Sequence, residues 1–112
     1  MLKKDVLRGK KTFSSVYNKG KSIADKYIVI FYKKNGLPYN RIAFLASKKV
    51  GNSVARNRAR RLMKESFRLS EIILPEGYDF IFIARNTICD KKCAEVRKSL
   101  ESAIRRTGVL KK

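Results

Sequence analysis

The apolar residues of this chain recur at helical or strand spacing, in stretches separated by turn-forming residues. Phe13, Val16 and Tyr17 stand at i, i+3, i+4 spacing after Thr12, with Gly20 beyond them. This predicts a short first helix capped by Thr12 and stopped at Gly20. Residues 21–24 read as a brief strand. Residues 27–32, Tyr-Ile-Val-Ile-Phe-Tyr, are β-branched or aromatic throughout, the composition of a buried strand. Alternation puts Tyr27, Val29 and Phe31 on one face and Ile28, Ile30 and Tyr32 on the other. At most one set is expected to face the core, which leaves the other as a platform. Residues 34–40 contain Asn35, Gly36 and Pro38 and form a turn. Residues 41–47, Arg-Ile-Ala-Phe-Leu-Ala-Ser, are then expected to return antiparallel as the second half of a hairpin.

Gly51-Asn52-Ser53 opens a longer helix over residues 54–69, capped by Asn52 or Ser53. At roughly 100° per residue, Ala55, Ala59, Leu62, Met63, Ser66, Phe67 and Leu69 share an arc of about 160° and form the core-facing stripe. Asn57, Arg60, Arg61, Lys64 and Arg68 occupy the opposite side. Pro75-Glu76-Gly77 turns the chain into a strand over residues 78–84. Cys93, Val96, Leu100, Ala103 and Ile104 mark a last helix over residues 90–106, with Gly108 as its stop. The order is therefore α-β-β-β-α-β-α. It predicts an α+β fold, a single-domain α/β sandwich over residues 1–112 with one mostly antiparallel sheet covered by helices.

Charge changes this picture from a scaffold to a binding protein. The 112 residues carry 28 Lys+Arg against 9 Asp+Glu, a formal charge of +19. Through residue 64 there are 18 basic side chains against Asp5 and Asp25, so this part holds +16 and the remainder only +3. A field of that size opposes compaction by self-repulsion, and a polyanionic partner accounts for it better than solubility does. Nucleic acid is the expected polyanion. A membrane surface is not, because no segment joins a broad apolar face to a Lys-rich opposite face. The apolar run at 27–32 is also far short of the roughly 18 residues that span a bilayer. Met1-Leu2-Lys3-Lys4-Asp5 lacks the apolar stretch of a secretory signal, so a cytoplasmic protein is expected.

Histidine is absent, which removes imidazole bases, Ser/His/Asp systems and Cys2His2 zinc sites. Cys89 and Cys93, four residues apart, read as reduced structural thiols. The acids are scattered, with no D-x-D or E-x-x-x-D cluster to hold two metal ions for phosphodiester cleavage. No catalytic residue and no metal ligand is expected in this chain, and any reaction it joins belongs to a partner.

The densest chemistry lies between Ser47 and Arg68, where Lys48, Lys49, Arg56, Arg58, Arg60, Arg61, Lys64 and Arg68 are opposed by Glu65 alone. Solvated helix faces usually mix signs so that i,i+4 pairs form. Here the charges are expected to face outward, where guanidinium forks match phosphate oxygens and the helix N-terminal amides near Ser53 add to the pull on an anion. A second set pairs Phe13, Tyr17 and an aromatic of residues 27–32 with Lys10, Lys11, Lys19 and Lys26. Interleaved aromatics and lysines suit a single-stranded nucleic acid, but the same spacing also suits core packing.

Residues 48–68, K-K-V-G-N-S-V-A-R-N-R-A-R-R-L-M-K-E-S-F-R, closely resemble the signature, centred on Arg-Asn-Arg, of the bacterial ribonuclease P protein family. The resemblance extends from K-K-T-F-S-S-V-Y-N-K-G (residues 10–20), through the apolar strands, to D-F-I-F-I-A-R (residues 79–85) and the closing helix. It implies an RNA-binding subunit that joins a catalytic RNA to form an endoribonuclease, a hydrolase that removes 5′ leaders from precursor tRNA. The RNA and its Mg2+ would perform the cleavage. By similarity, Lys48, Lys49, Asn52, Arg56, Asn57, Arg58, Arg60, Arg61, Lys64 and Arg68 would lie against or near the catalytic RNA. Phe13, Tyr17 and Phe31, with Lys10 and Lys11, would line a cleft for the single-stranded leader, and Arg85 would add to the basic surface.

The family often has Phe where Tyr17 stands and Tyr where Phe31 stands. It also implies a left-handed crossover from residues 41–47 through the helix to a parallel strand at 78–84, against the usual right-handed rule. No obligate protein partner is implied. A ribosomal protein or general basic RNA-binding protein is the alternative for the same charge pattern, and a self-contained metal nuclease would need the carboxylate cluster that is missing.

Overall fold

The computed structural model describes residues 6–110, so residues 1–5, read above for a secretory signal, lie outside the described residues. Helix α1 (Lys10–Lys19) is followed by strands β1 (Lys21–Ala24), β2 (Ile28–Lys34) and β3 (Arg41–Ala46). Helix α2 (Ser53–Leu69), strand β4 (Tyr78–Ala84) and helix α3 (Cys93–Thr107) complete the chain, with a short 3-10 turn at Asn86–Ile88 before α3. The expected α-β-β-β-α-β-α order is the observed one. The sheet runs β1-β2-β4-β3, antiparallel except where β3 lies parallel to β4.

The expected hairpin between residues 27–32 and 41–47 does not form. Strand β4 sits between its two halves, so Ile30 pairs with Phe82 and Phe82 with Phe44. Apolarity decides this. Phe80, Ile81 and Phe82 are all fully buried although they alternate between faces, and a strand apolar on both faces belongs in the centre of a covered sheet. The 34–40 segment is long enough to arch over the start of β4 and is pinned there. The Asn35 amide donates to the Gly77 carbonyl at 2.8 Å, and the Tyr78 amide donates to Asn40 Oδ1 at 2.8 Å.

On one face of the sheet, Ile28, Ile30, Tyr32, Ile42, Phe44, Phe80 and Phe82 pack against Ala59 and Met63 of α2 and Val96, Leu100, Ala103 and Ile104 of α3. Phe44 and Phe82 stack at 5.2 Å between ring centroids, and Phe67 of α2 closes over both. Ser66 fits the same stripe because its hydroxyl meets the Cys93 carbonyl at 3.4 Å where α2 and α3 cross. Leu69, placed in the stripe by the helical wheel, is instead 40% exposed. It stands at the edge of the arc, in the last residue of the helix.

The second face is not left bare. Helix α1 lies across it, and Val16 with Leu7, Ala43 and Ile81 makes a smaller core flanked by Phe13, Phe31, Leu45 and Ile83. Only part of that face is therefore a platform. The cap of α1 is Gly9 at φ 90° rather than Thr12, which lies inside the helix. Backbone with positive φ selects glycine, and a cap made by backbone alone has no side-chain signature. At the far end, the Asp25 carboxylate in the β1–β2 turn accepts from the Ser99 hydroxyl at 2.8 Å and from Arg106 at 3.2 Å, tying α3 to the sheet. Burial would raise its pKa, but the Lys26 amide, Ser99, Ser102 and Arg106 together hold it below the ordinary carboxylate value.

Candidate nucleic-acid interface

The basic helix begins where the sequence places it. Asn52 Oδ1 accepts from the Ala55 amide at 2.9 Å, so Asn52 is the cap. Gly51 before it has φ 148°, and a Cβ there would come within 2.9 Å of Ala55 Cβ, so the tight entry into α2 requires glycine. Ahead of it, the Val50 and Gly51 amides donate to the carbonyls of Ser47 and Lys48, a turn that buries Val50 and leaves Lys48 and Lys49 exposed. Cys89 buttresses this turn, its thiol donating to the Val50 carbonyl at 3.0 Å. Both cysteines are free.

The cationic residues of α2 do not all face outward unpaired. The side chains of Lys48, Lys49, Arg61 and Lys64 have no protein partner among the described residues. Arg68 is engaged with Glu65, its Nη2 2.6 Å from the carboxylate, which lowers the Glu65 pKa and raises that of Arg68. Arg56 donates to the Ser53 hydroxyl at 3.1 Å, and Arg60 donates to Asn57 Oδ1.

Arg58 turns away to the segment before α3, donating to the carbonyls of Cys89 at 2.7 Å and Lys91 at 3.3 Å. These bonds fix α2 against that segment. Arg58→Ala is expected to remove about 1 kcal/mol of net hydrogen bonding, a fall of roughly 4–8 °C in the melting midpoint read by calorimetry. Arg61→Ala should leave that midpoint unchanged.

The aromatic set converges on the other side of the sheet. Tyr17 meets the edge of Phe31 at 4.9 Å and 85°, and Phe13 stands 6.3 Å from Tyr17 at 31°. Phe13 and Phe31 are half-buried, while Tyr17 is 40% exposed. Burial pushes the Tyr17 phenol up, so it is a protonated donor at neutral pH. Beside the rings lies an open groove of about 770 Å³ lined by Gly9, Lys10, Phe13, Ser14, Tyr17, Asn18 and Leu45.

Lys10 thus lines the groove; Lys11 is exposed on the helix outside it, and Phe31 supports Tyr17 from beneath. Sequence reasoning missed Gly9, Ser14, Asn18 and Leu45 of the groove, of which Leu45 is the apolar one from the sheet. Its signal was the register, which sets Leu45 beside Ile83 and Ile83 beside Val29 in one apolar row on this face. Arg85 donates to the Asp25 carbonyl at 2.7 Å and so braces the β1–β2 turn. Among the described residues no three His, Cys, Asp or Glu side chains gather as a metal site.

The family model described as Ribonuclease P matches residues 1–108. The chain belongs to the ribonuclease P protein family. Among curated relatives, the "Ribonuclease P protein component" of Pelotomaculum thermopropionicum is 42% identical over 105 residues, covering 94% of each chain. The RNase P protein of Staphylococcus aureus superposes with a TM-score of 0.82 at 28% identity over 94% of this chain and 96% of that one. For the RNase P protein from Thermotoga maritima the values are 0.79, 28%, 90% and 96%.

Ribonuclease P proteins are the RNA-binding subunit of a ribonucleoprotein endoribonuclease of tRNA processing, partnered by the ribonuclease P RNA and acting on precursor tRNA. The assignment decides against the ribosomal-protein and self-contained nuclease readings. No helix among the described residues is long and apolar enough to cross a membrane.

Proposed function

We propose that this single domain, residues 1–112, divides RNA binding between its two faces in the cytoplasm. The α2 face takes the catalytic RNA through Lys48, Lys49, Arg61 and Lys64, with Arg56, Arg60 and Arg68 adding charge at the flanks and Asn52 and Asn57 adding polar contacts. The groove takes the single-stranded 5′ leader of precursor tRNA by stacking on Phe13 and Tyr17, with Phe31 behind them and Lys10 and Lys11 near the phosphates. Arg58 holds the two helices in register. Mg2+ and the cleavage chemistry belong to the RNA, and the protein screens repulsion between two polyanions and keeps the leader extended.

One observation supports this division most. Partner-free cations lie on the helix packed against one side of the sheet, whereas half-exposed rings in mutual contact lie beside a groove on the other. Stacking of a base contributes roughly 1–3 kcal/mol, so Phe13→Ala is expected to weaken holoenzyme binding of precursor tRNA by about 5- to 150-fold. Mature tRNA, which has no leader, should bind as before. Filter-binding titrations of the two substrates check this, and an equal loss for both would assign Phe13 to the core alone.

A further inference from the structure

At the end of the sheet away from Lys48 and Lys49, a cavity of about 440 Å³ opens between the C-terminal ends of α1 and α3. It is lined by Lys19, Gly20, Lys21, Tyr32, Lys33, Lys34, Tyr78 and the start of the chain after α3, and it shares no residue with the groove or with α2. Its size lies within the ~300–1,000 Å³ of sites that take small molecules, enough for one nucleotide unit.

Four lysines and no carboxylate face it. Lys33 Nζ donates to the Lys34 carbonyl at 3.2 Å, whereas Lys19, Lys21 and Lys34 have no side-chain partner among the described residues. Asp79, which lies opposite Lys33 in the β2–β4 register, is already committed to Arg41 and Asn35.

The C-terminal ends of α1 and α3 turn partial negative charge toward the cavity, which the full unit charges of the lysines outweigh. Thr107, whose carbonyl ends α3, has that oxygen capped by the Tyr32 hydroxyl at 3.1 Å. Burial and the nearby Tyr78 phenol push the Tyr32 pKa up, so this cap stays protonated. The Tyr78 hydroxyl has no partner among the described residues and is a further donor. Concave walls with charge of one sign focus the field on whatever enters.

We propose that this lysine cavity is a third RNA-binding site, which holds a backbone phosphate of a nucleotide lying outside both the groove and the α2 face. The site rests on the RNA-subunit reading, and the phosphate comes either from the distal part of the leader or from the catalytic RNA. Amide shifts of Gly20 and Gly108 on titration with inorganic pyrophosphate report the cavity directly. They should move in the wild-type protein and stay fixed in Lys19→Gln/Lys34→Gln.

In the holoenzyme the double variant should lower RNA affinity about fivefold or more at 0.15 M salt and reduce the logarithmic salt slope by roughly 0.7–0.9, the value for one phosphate. Loss confined to precursors with long leaders, against short ones, names the leader. Loss in assembly names the catalytic RNA. Lys19→Arg/Lys34→Arg should restore affinity, which a purely structural role of these stems would not require. Pyrophosphate shifts with both RNA affinities unchanged would mean an adventitious ion only and would overturn the site, as would no shift at all. Stimulation of cleavage by the wild-type protein tests the underlying RNA-subunit reading separately.

Discussion

Replacing Arg56, Arg61 and Lys64 together by Ala is expected to weaken assembly with the ribonuclease P RNA on the order of a thousandfold. Hydrogen bonds to charged groups contribute about 1.5–3 kcal/mol each, so even at the lower end three phosphate contacts come to about 4.5 kcal/mol, or roughly three decades of affinity. The logarithmic salt slope should fall by about 2.1–2.7, at 0.7–0.9 per phosphate. Stability should hold, because Arg61 and Lys64 have no protein partner to lose and Arg56 loses only an exposed bond to Ser53. Binding titrations across a salt series, with calorimetry of the free protein, separate the two effects. Unchanged assembly at matched salt would remove α2 from the interface.

The second large effect is on the fold. The Asp79 side chain is 4% exposed and accepts Arg41 Nε and Nη2, both at 2.8 Å, and Asn35 Nδ2 at 2.9 Å. The pair raises the Arg41 pKa chiefly through its hydrogen bonds. These contacts lock the start of β3 and the 34–40 arch to the central strand, the topology that replaces the expected hairpin.

Breaking a buried pair costs about 3–5 kcal/mol. Arg41 is 27% exposed and recovers some water, so about 3 kcal/mol is expected for Asp79→Ala, a fall of roughly 12–24 °C in a domain of this size. Asp79→Asn keeps one acceptor oxygen and should lose less. Urea unfolding checks both, and a loss below about 1 kcal/mol for Asp79→Ala would show that the arch is held by other contacts.

The elements were legible where one side chain carries the signal. Asn52 marked the start of α2, the 3.6-residue period marked Ala59 and Met63, and the apolar 78–84 run marked β4. What failed was pairing. Loop length argued for a hairpin, whereas apolarity on both faces of Phe80–Phe82 was the better guide to which strand is central. The cap of α1 was missed because Gly9 caps with backbone alone.

At the interface, the role of Arg58 was hidden because its partners are carbonyls more than thirty positions away, which any residue type could supply. The aromatic spacing could not distinguish core from platform, and the structure shows why: Phe31 packs beneath, Phe13 is half-buried between the small core and the groove, and Tyr17 stays partly open. The lysine cavity joins two short segments through the β1–β2 register, Lys21 opposite Tyr32, and neither segment stands out alone.

The most direct test of the account is cleavage of 5′-labelled precursor tRNA by a bacterial ribonuclease P RNA at low Mg2+, with this protein, without it, and with the protein alone. Cleavage at the mature 5′ end only when RNA and protein are both present is the expected result, since the chain carries the binding surfaces and the RNA the chemistry. Cleavage by the protein alone, or no stimulation of the RNA, would contradict it.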